Sequence, residues 1–120
     1  MRTGVRYAAV LCASVLFLGS LLSHLASVDA ASDPAKGKAL YEKHCLVCHG
    51  PQGKGDGPAG RMLKPPAADF TSAESKKKPE GDLRQVVEIG KPGTAMGPWK
   101  CQLSQAELSD LMGYVLTFRK

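Results

Sequence analysis

The stretch "HCLVCHG", His44 to Gly50, decides how this chain is read. Two cysteines, Cys45 and Cys48, stand three positions apart, and His49 follows the second directly. Four chemistries compete for that pattern: a disulfide, a structural metal clamp, a dithiol redox pair, and covalent attachment of a larger group. The residues around the motif weigh them against each other.

Upstream, Arg2 and Arg6 precede the apolar run "YAAVLCASVLFLGSLLSHLA", which ends in the small residues "SVDAAS". A basic start, an apolar middle and a small-residue site at Val28-Asp29-Ala30 form the layout of a secretory signal cleaved after Ala30. The alternative is an uncleaved membrane anchor, because Tyr7–Leu25 approaches the ~20 residues a bilayer requires, although His24 shortens it. Residues 1–30 are therefore expected to be a signal peptide or retained anchor, and 31–120 one exported, periplasmic domain. It contacts a membrane only if the anchor stays.

Export places the thiols in an oxidising compartment. Of the four cysteines, Cys12 lies in the presequence, which leaves an odd number and no disulfide framework. If Cys45 and Cys48 work together, Cys101 is left over; a buried inert thiol is its default, a disulfide-linked dimer its alternative. A mature chain of about 90 residues has a modest core of its own. With 13 glycines, 8 prolines and only 6% aromatic residues, an internal apolar group would help it fold. Removing the presequence lowers the formal charge of +5 by one. No Lys/Arg stripe with interleaved aromatics appears, which argues against nucleic-acid binding.

Three helices are predicted. Asp33 caps and Pro34 opens the first, which runs to about His44. Asp82 is the expected cap of the second, with Leu83, Val86 and Val87 as its apolar face and Gly90 as its stop. The third opens on a Ser104/Glu107 capping box and carries Leu108, Leu111, Met112 and Val115 at helical spacing. Gly113 weakens it unless another backbone packs close. Long loops fill the intervals at 50–79 and 90–102, and no strand pattern stands out. This is an all-α chain whose loops are expected to wrap a ligand.

A thioredoxin-like pair would want a βαβ context, which is missing. A structural zinc needs a fourth ligand, with His44 and Cys101 the only additional soft candidates. C-x-x-C-H instead matches the attachment site of a c-type haem. Two thiols about one helical turn apart can each add to a porphyrin vinyl group, and the next residue then offers an imidazole to the iron. Zinc or a disulfide stays the alternative.

"GKALYEKHCLVCHGPQGKGDGPAG", residues 37–60, and "GKPGTAMGPW", residues 90–99, followed by an amphipathic C-terminal helix, resemble the class I cytochromes c. The wider string "CHGPQGKGDGPAGRMLKPPAADFT" is similar to monohaem domains of bacterial electron-transfer chains, including cytochrome subunits of terminal oxidases. The resemblance implies a small cytochrome c fold of three main helices and long loops around one covalently bound haem c. It implies single-electron transfer between redox proteins such as respiratory complexes or oxidases, with no substrate transformed and hence no enzyme. Two other readings stay open: a haem subunit of a larger oxidoreductase, and a ligand-binding haem sensor or peroxidase.

Cys45 and Cys48 are the expected thioether positions and His49 one axial ligand of the iron. Four side chains compete for the other axial position. Met112 lies on the core face of the last helix, Met62 in a segment expected to turn beneath the ring, and His44 beside an anchored cysteine. Met96 sits in a loop stiffened by Pro92 and Pro98 and opened by Gly93 and Gly97, where class I relatives place their ligand methionine. By the same resemblance the Pro58 carbonyl accepts from His49, with Pro65 as alternative. Gly37 and Tyr41 are expected to cross the last helix near Leu111 and Tyr114. Trp99 either covers a haem edge, donates to a propionate or packs in the core; Arg61 is a weaker propionate candidate. The run Lys76–Lys78 is a solvated loop or a docking patch for acidic redox partners.

Overall fold

A computed structural model describes residues 31–120. The signal or anchor segment, residues 1–30, lies outside the described residues. Helix α1 is Pro34–His44, capped by Asp33, whose carboxylate accepts from the Ala35 and Lys36 amides. After a break at Cys45 the single turn α2, Leu46–His49, carries the motif. A 3-10 turn at Gly60–Met62, the short α3 at Ala73–Lys77, α4 at Glu80–Ile89 and α5 at Gln105–Val115 follow, and a last 3-10 turn spans Leu116–Arg119. Among the described residues there is no strand. None of their helices is long and apolar enough to cross a membrane.

Two expectations need correcting. Asp82 does not cap α4. The helix starts three residues earlier with Pro79 at the cap position, and Glu80 and Asp82 lie in its first turn, where carboxylates complement the positive end of the helix dipole. Nor is 50–79 all loop. The Ser72 hydroxyl accepts from the Ser75 amide and starts α3. Helix α5 opens as predicted: Ser104 Oγ accepts from Glu107 N, while the Glu107 carboxylate accepts from Ser104 N at 2.8 Å. The Ser104 amide, and after it the Ser104 hydroxyl, donate to the Glu107 carboxylate and hold that carboxyl below its ordinary range.

The core lies where α1 crosses α5. Tyr41, Leu103, Leu108, Leu111 and Val115 form its buried cluster, with Tyr114 and Phe118 packed against it. Tyr41 is 1% exposed and meets Tyr114 edge-on at 5.4 Å between ring centroids. Asp33 N donates to Asp110 Oδ1 at 2.7 Å, locking the start of α1 onto α5. Arg84 ties α4 to the same helix, donating to Ser109 Oγ and Gln105 Oε1 while its Nε holds Glu88.

Gly37 permits the crossing. A Cβ there would overlap the Asp110 carbonyl and stand 2.9 Å from Tyr114 Cβ. Helix propensity alone favours alanine over glycine by about 1 kcal/mol. The clash is with main chain, which cannot swing aside, and overpacking costs about 1–3 kcal/mol. Gly37→Ala is therefore expected to destabilise on balance, lowering Tm in calorimetry by about 4–8 °C per kcal/mol lost. At Gly113 the neighbour is the Ser32 side chain and not a backbone, with Oγ and Cβ both close to where an added methyl would lie.

Candidate functional site

The turn α2 explains why the motif has its spacing. Cys48 N and His49 N both donate to the Cys45 carbonyl, at 3.1 and 2.9 Å, so the three residues occupy i, i+3 and i+4 of one helical turn. Such positions share a face. Both thiols and the imidazole thus front the same space. Gly50 ends the turn with φ 75°, a conformation open to glycine at little cost. Its carbonyl accepts from the buried Tyr41 hydroxyl at 2.7 Å. The core residue Tyr41 therefore fixes the end of the segment that bears His49. Burial first, and the neighbouring Cys45 second, push the Tyr41 phenol well above its ordinary range.

The following loop wraps back over the motif. Gly55 N donates to His49 O, Gly57 N to Cys48 O, Ala59 N to Val47 O, and Phe70 N to Gly53 O. A Cβ on Gly60 would overlap the Cys48 carbonyl, so the loop lies directly on the turn. Its return strand of chain brings the Ala68 carbonyl 3.1 Å from His49 Nδ1 and the Phe70 ring parallel to the imidazole, 4.6 Å away and tilted 18°. A carbonyl can only accept, so Nδ1 carries the proton and Nε2 keeps its lone pair. Burial lowers the His49 pKa and outweighs the opposing Ala68 bond, favouring the neutral ring a metal needs.

The acceptor is therefore Ala68, not Pro58 or Pro65. Pro58 sits on an exposed corner of the wrapped loop and does not line the cavity, whereas Pro65 does. Met62 is 78% exposed and points away from the ring space its neighbour Leu63 lines. Arg61 donates from Nε to the Asp56 carbonyl, is exposed, and is also absent from the lining. Cys101 is exposed, contrary to the buried thiol expected.

Cys45, Cys48, His49, Met96 and Trp99 line one cavity of about 640 Å³. That volume suits a cofactor-sized ligand, for which ~300–1,000 Å³ is usual. Helix α4 ends at Gly90, φ 78°, and the chain then closes on itself: Lys91 N donates to Met96 O at 2.9 Å. Thr94 Oγ1 donates to Lys91 O and accepts from Met96 N, so the loop presenting Met96 is hydrogen-bonded across its width. Trp99 is half-buried, packs against the core cluster and meets the His44 ring at 4.9 Å. Met112, 2% exposed, serves the core as expected and also reaches the cavity. Of the lysine run, Lys76 donates to the Lys120 carbonyl and Lys78 pairs with Glu74.

Burial and the adjacent Cys48 push the Cys45 thiol up to about 11, so it is protonated at neutral pH, unlike the low-pKa thiolate of a redox pair. Among the described residues no three His, Cys, Asp or Glu side chains cluster closely enough to hold a metal ion. Val86 and Ile89 line the cavity yet are 38% and 57% exposed. A broad apolar ring would cover them. Two thiols, an imidazole with a free Nε2, a thioether and an apolar wall fit a covalently held haem.

The family model for cytochrome c matches residues 34–119. The chain is similar to cytochrome c-554(547) of Halothiobacillus neapolitanus, 32% identical over 96 residues, covering 74% of this chain and 100% of that protein. It is also similar to the dihydro-heme d1 dehydrogenase of Pseudomonas aeruginosa, 34% identical over 100 residues. That match covers 83% of this chain but spans only 18% of the dehydrogenase. Among solved structures it resembles the c-type cytochrome KustC0563 with a TM-score of 0.58 and 30% identity, covering 70% of this chain and 98% of that one.

Proposed function

The chain belongs to the cytochrome c family, and from that premise we propose that its single haem c is bonded to Cys45 and Cys48, ligated by His49 and Met96, and used to carry single electrons between redox proteins. The observation that supports this most is the gathering of all four side chains around one cavity. When bound, the haem supplies a one-electron iron couple. The Ala68 carbonyl holds the His49 ring in the tautomer whose Nε2 can bind metal, the usual role of a second partner on a ligating histidine. The hydrogen-bonded loop from Lys91 to Met96 offers its thioether with little freedom to withdraw. With His49 and Met96 both holding the iron, oxygen and peroxide would find no open site, which favours transfer over catalysis. Residues 1–30 direct export in this reading, and the carrier works in the periplasm, free or anchored.

A second reading is that the chain serves as the haem domain or subunit of a larger oxidoreductase. It is favoured by the dehydrogenase match, of which this chain spans only a fraction. Site chemistry is the same in both.

The test is the protein purified from its native host. Mass spectrometry is expected to show one haem adduct and cleavage after Ala30. The reduced protein is expected to be low-spin and inert to carbon monoxide. Ready carbon monoxide binding would reveal an open iron and replace the carrier reading with a sensor or peroxidase. Co-purification in a stoichiometric complex would select the subunit reading.

A further inference from the structure

We propose that Arg119 is a positioning residue that latches α3 to the C-terminal turn and thereby limits water access to the haem cavity. Helix α3 has only five residues, far short of the ~12–15 at which an isolated helix is even marginal. Something outside it must hold it. Ser72, Glu74, Ser75 and Lys78, from its cap to its end, all line the cavity, so its position sets one wall.

The ties converge on the chain terminus. Arg119 Nη2 donates to the carbonyls of both Ser75 and Lys78, more than forty residues away in sequence. The Ser75 carbonyl already accepts from the Lys78 amide, so Arg119 adds a second donor there and supplies one to the carbonyl of the capping residue Lys78, at the helix end where a cation is favoured. Among the described residues, every hydrogen bond from 73–78 to a distant part of the chain ends on Arg119 or Lys120. The Lys76 bond to the Lys120 carbonyl is exposed and contributes little. Arg119 differs, because its Nε is buried with no partner. Its guanidinium is partly desolvated, and charge-assisted bonds strengthen where water is excluded. A buried donor left unpaired is costly, so the two Nη2 bonds are what hold the side chain there. Solvent access and local dielectric tune the potential of a metal centre, which gives this structural tie a functional readout.

The inference rests on haem occupying the cavity. Haem-loaded wild type, Arg119→Gln and Arg119→Lys are compared by amide hydrogen exchange and by potentiometric titration. In Arg119→Gln the Lys76 and Lys78 amides are expected to exchange about 10–100-fold faster, the factor for losing hydrogen bonds to a charged group, with α5 amides unchanged. The potential is expected to fall, because water at the ring favours the more highly charged ferric state. Arg119→Lys keeps the charge on a shorter side chain whose single nitrogen reaches the two carbonyls less well, and is expected to be intermediate in both. Wild-type exchange at α3 and an unchanged potential in Arg119→Gln would overturn the latch. Should that variant not accumulate, Arg119→Lys decides, since wild-type rates at Lys76 and Lys78 are the overturning result there too. The adduct mass of the wild type is read separately. Its absence would remove the electron-carrier reading and the potential arm, while exchange at α3 still judges the latch.

Discussion

Replacing Cys45 and Cys48 together by serine is expected to abolish the covalent haem adduct completely. The two thiols lie on one helical turn, with Cys48 N bonded to Cys45 O, and both border the cavity. Serine preserves the turn and the size of the side chains but cannot form a thioether. Denaturing electrophoresis with haem staining, or mass spectrometry of unfolded protein, reads the result directly. Each single variant is expected to retain one link and a mass increased by one haem, at reduced yield. The double variant should also be less stable, because Val86 and Ile89 lose their cover in the fraction without haem. Fully burying one such side chain is worth about 1.5–3 kcal/mol, an upper figure for these two partly exposed residues. A stained band in the double variant would mean that the attachment site lies elsewhere.

Met96→Ala is expected to change the site from closed to open. The thioether is removed, while the Lys91–Met96 backbone bond and the Thr94 contacts, which need no side chain at 96, keep the loop in place. The weak near-infrared sulfur-to-iron band of the oxidised protein should vanish. The reduced variant should take up one equivalent of carbon monoxide where the wild type takes none, and the potential should fall, since a methionine ligand raises it. Persistence of the sulfur band would assign the second axial position to Met62 or Met112. Met62 is exposed and Met112 is part of the buried packing, so either would require the chain to rearrange.

What the structure shares with the sequence reading of the site is written at short range. Cys45, Cys48 and His49, singled out by spacing, do occupy one helical turn and border one cavity. The capping box at Ser104 and Glu107 and the apolar face of α5 follow the same local rule. The crossing of Gly37 with α5 was expected from the resemblance alone, and the Asp110 main chain against Gly37 bears it out. Reasoning from lost propensity pointed to Gly113, which meets only a side chain.

What escaped the sequence depended on distant main chain. The partner of His49 Nδ1 is a carbonyl, and every residue has one, so side-chain identity gave no signal for Ala68 over Pro58. Thr94 braces the Met96 loop through a hydroxyl that in sequence looks like any loop threonine. The start of α4 at Glu80 was missed because Pro79 fills the cap position without a capping side chain, leaving Asp82 as the only conspicuous candidate. Helix α3 was hidden in a polar run whose stability comes from the far end of the chain.

The sequence by itself determined the family, through the resemblance of residues 37–60 and 90–99, the cofactor, through the C-x-x-C-H spacing, and the all-α architecture, through helical periodicity, since each is encoded along short stretches of chain. Only the tertiary structure decided which carbonyl orients His49, which loop residues brace Met96, and what holds the wall at α3. Each of those contacts ends on a main-chain group, near in the chain for Thr94 and distant for His49 and Arg119, and main-chain groups common to nearly every residue leave no mark in the order of amino acids.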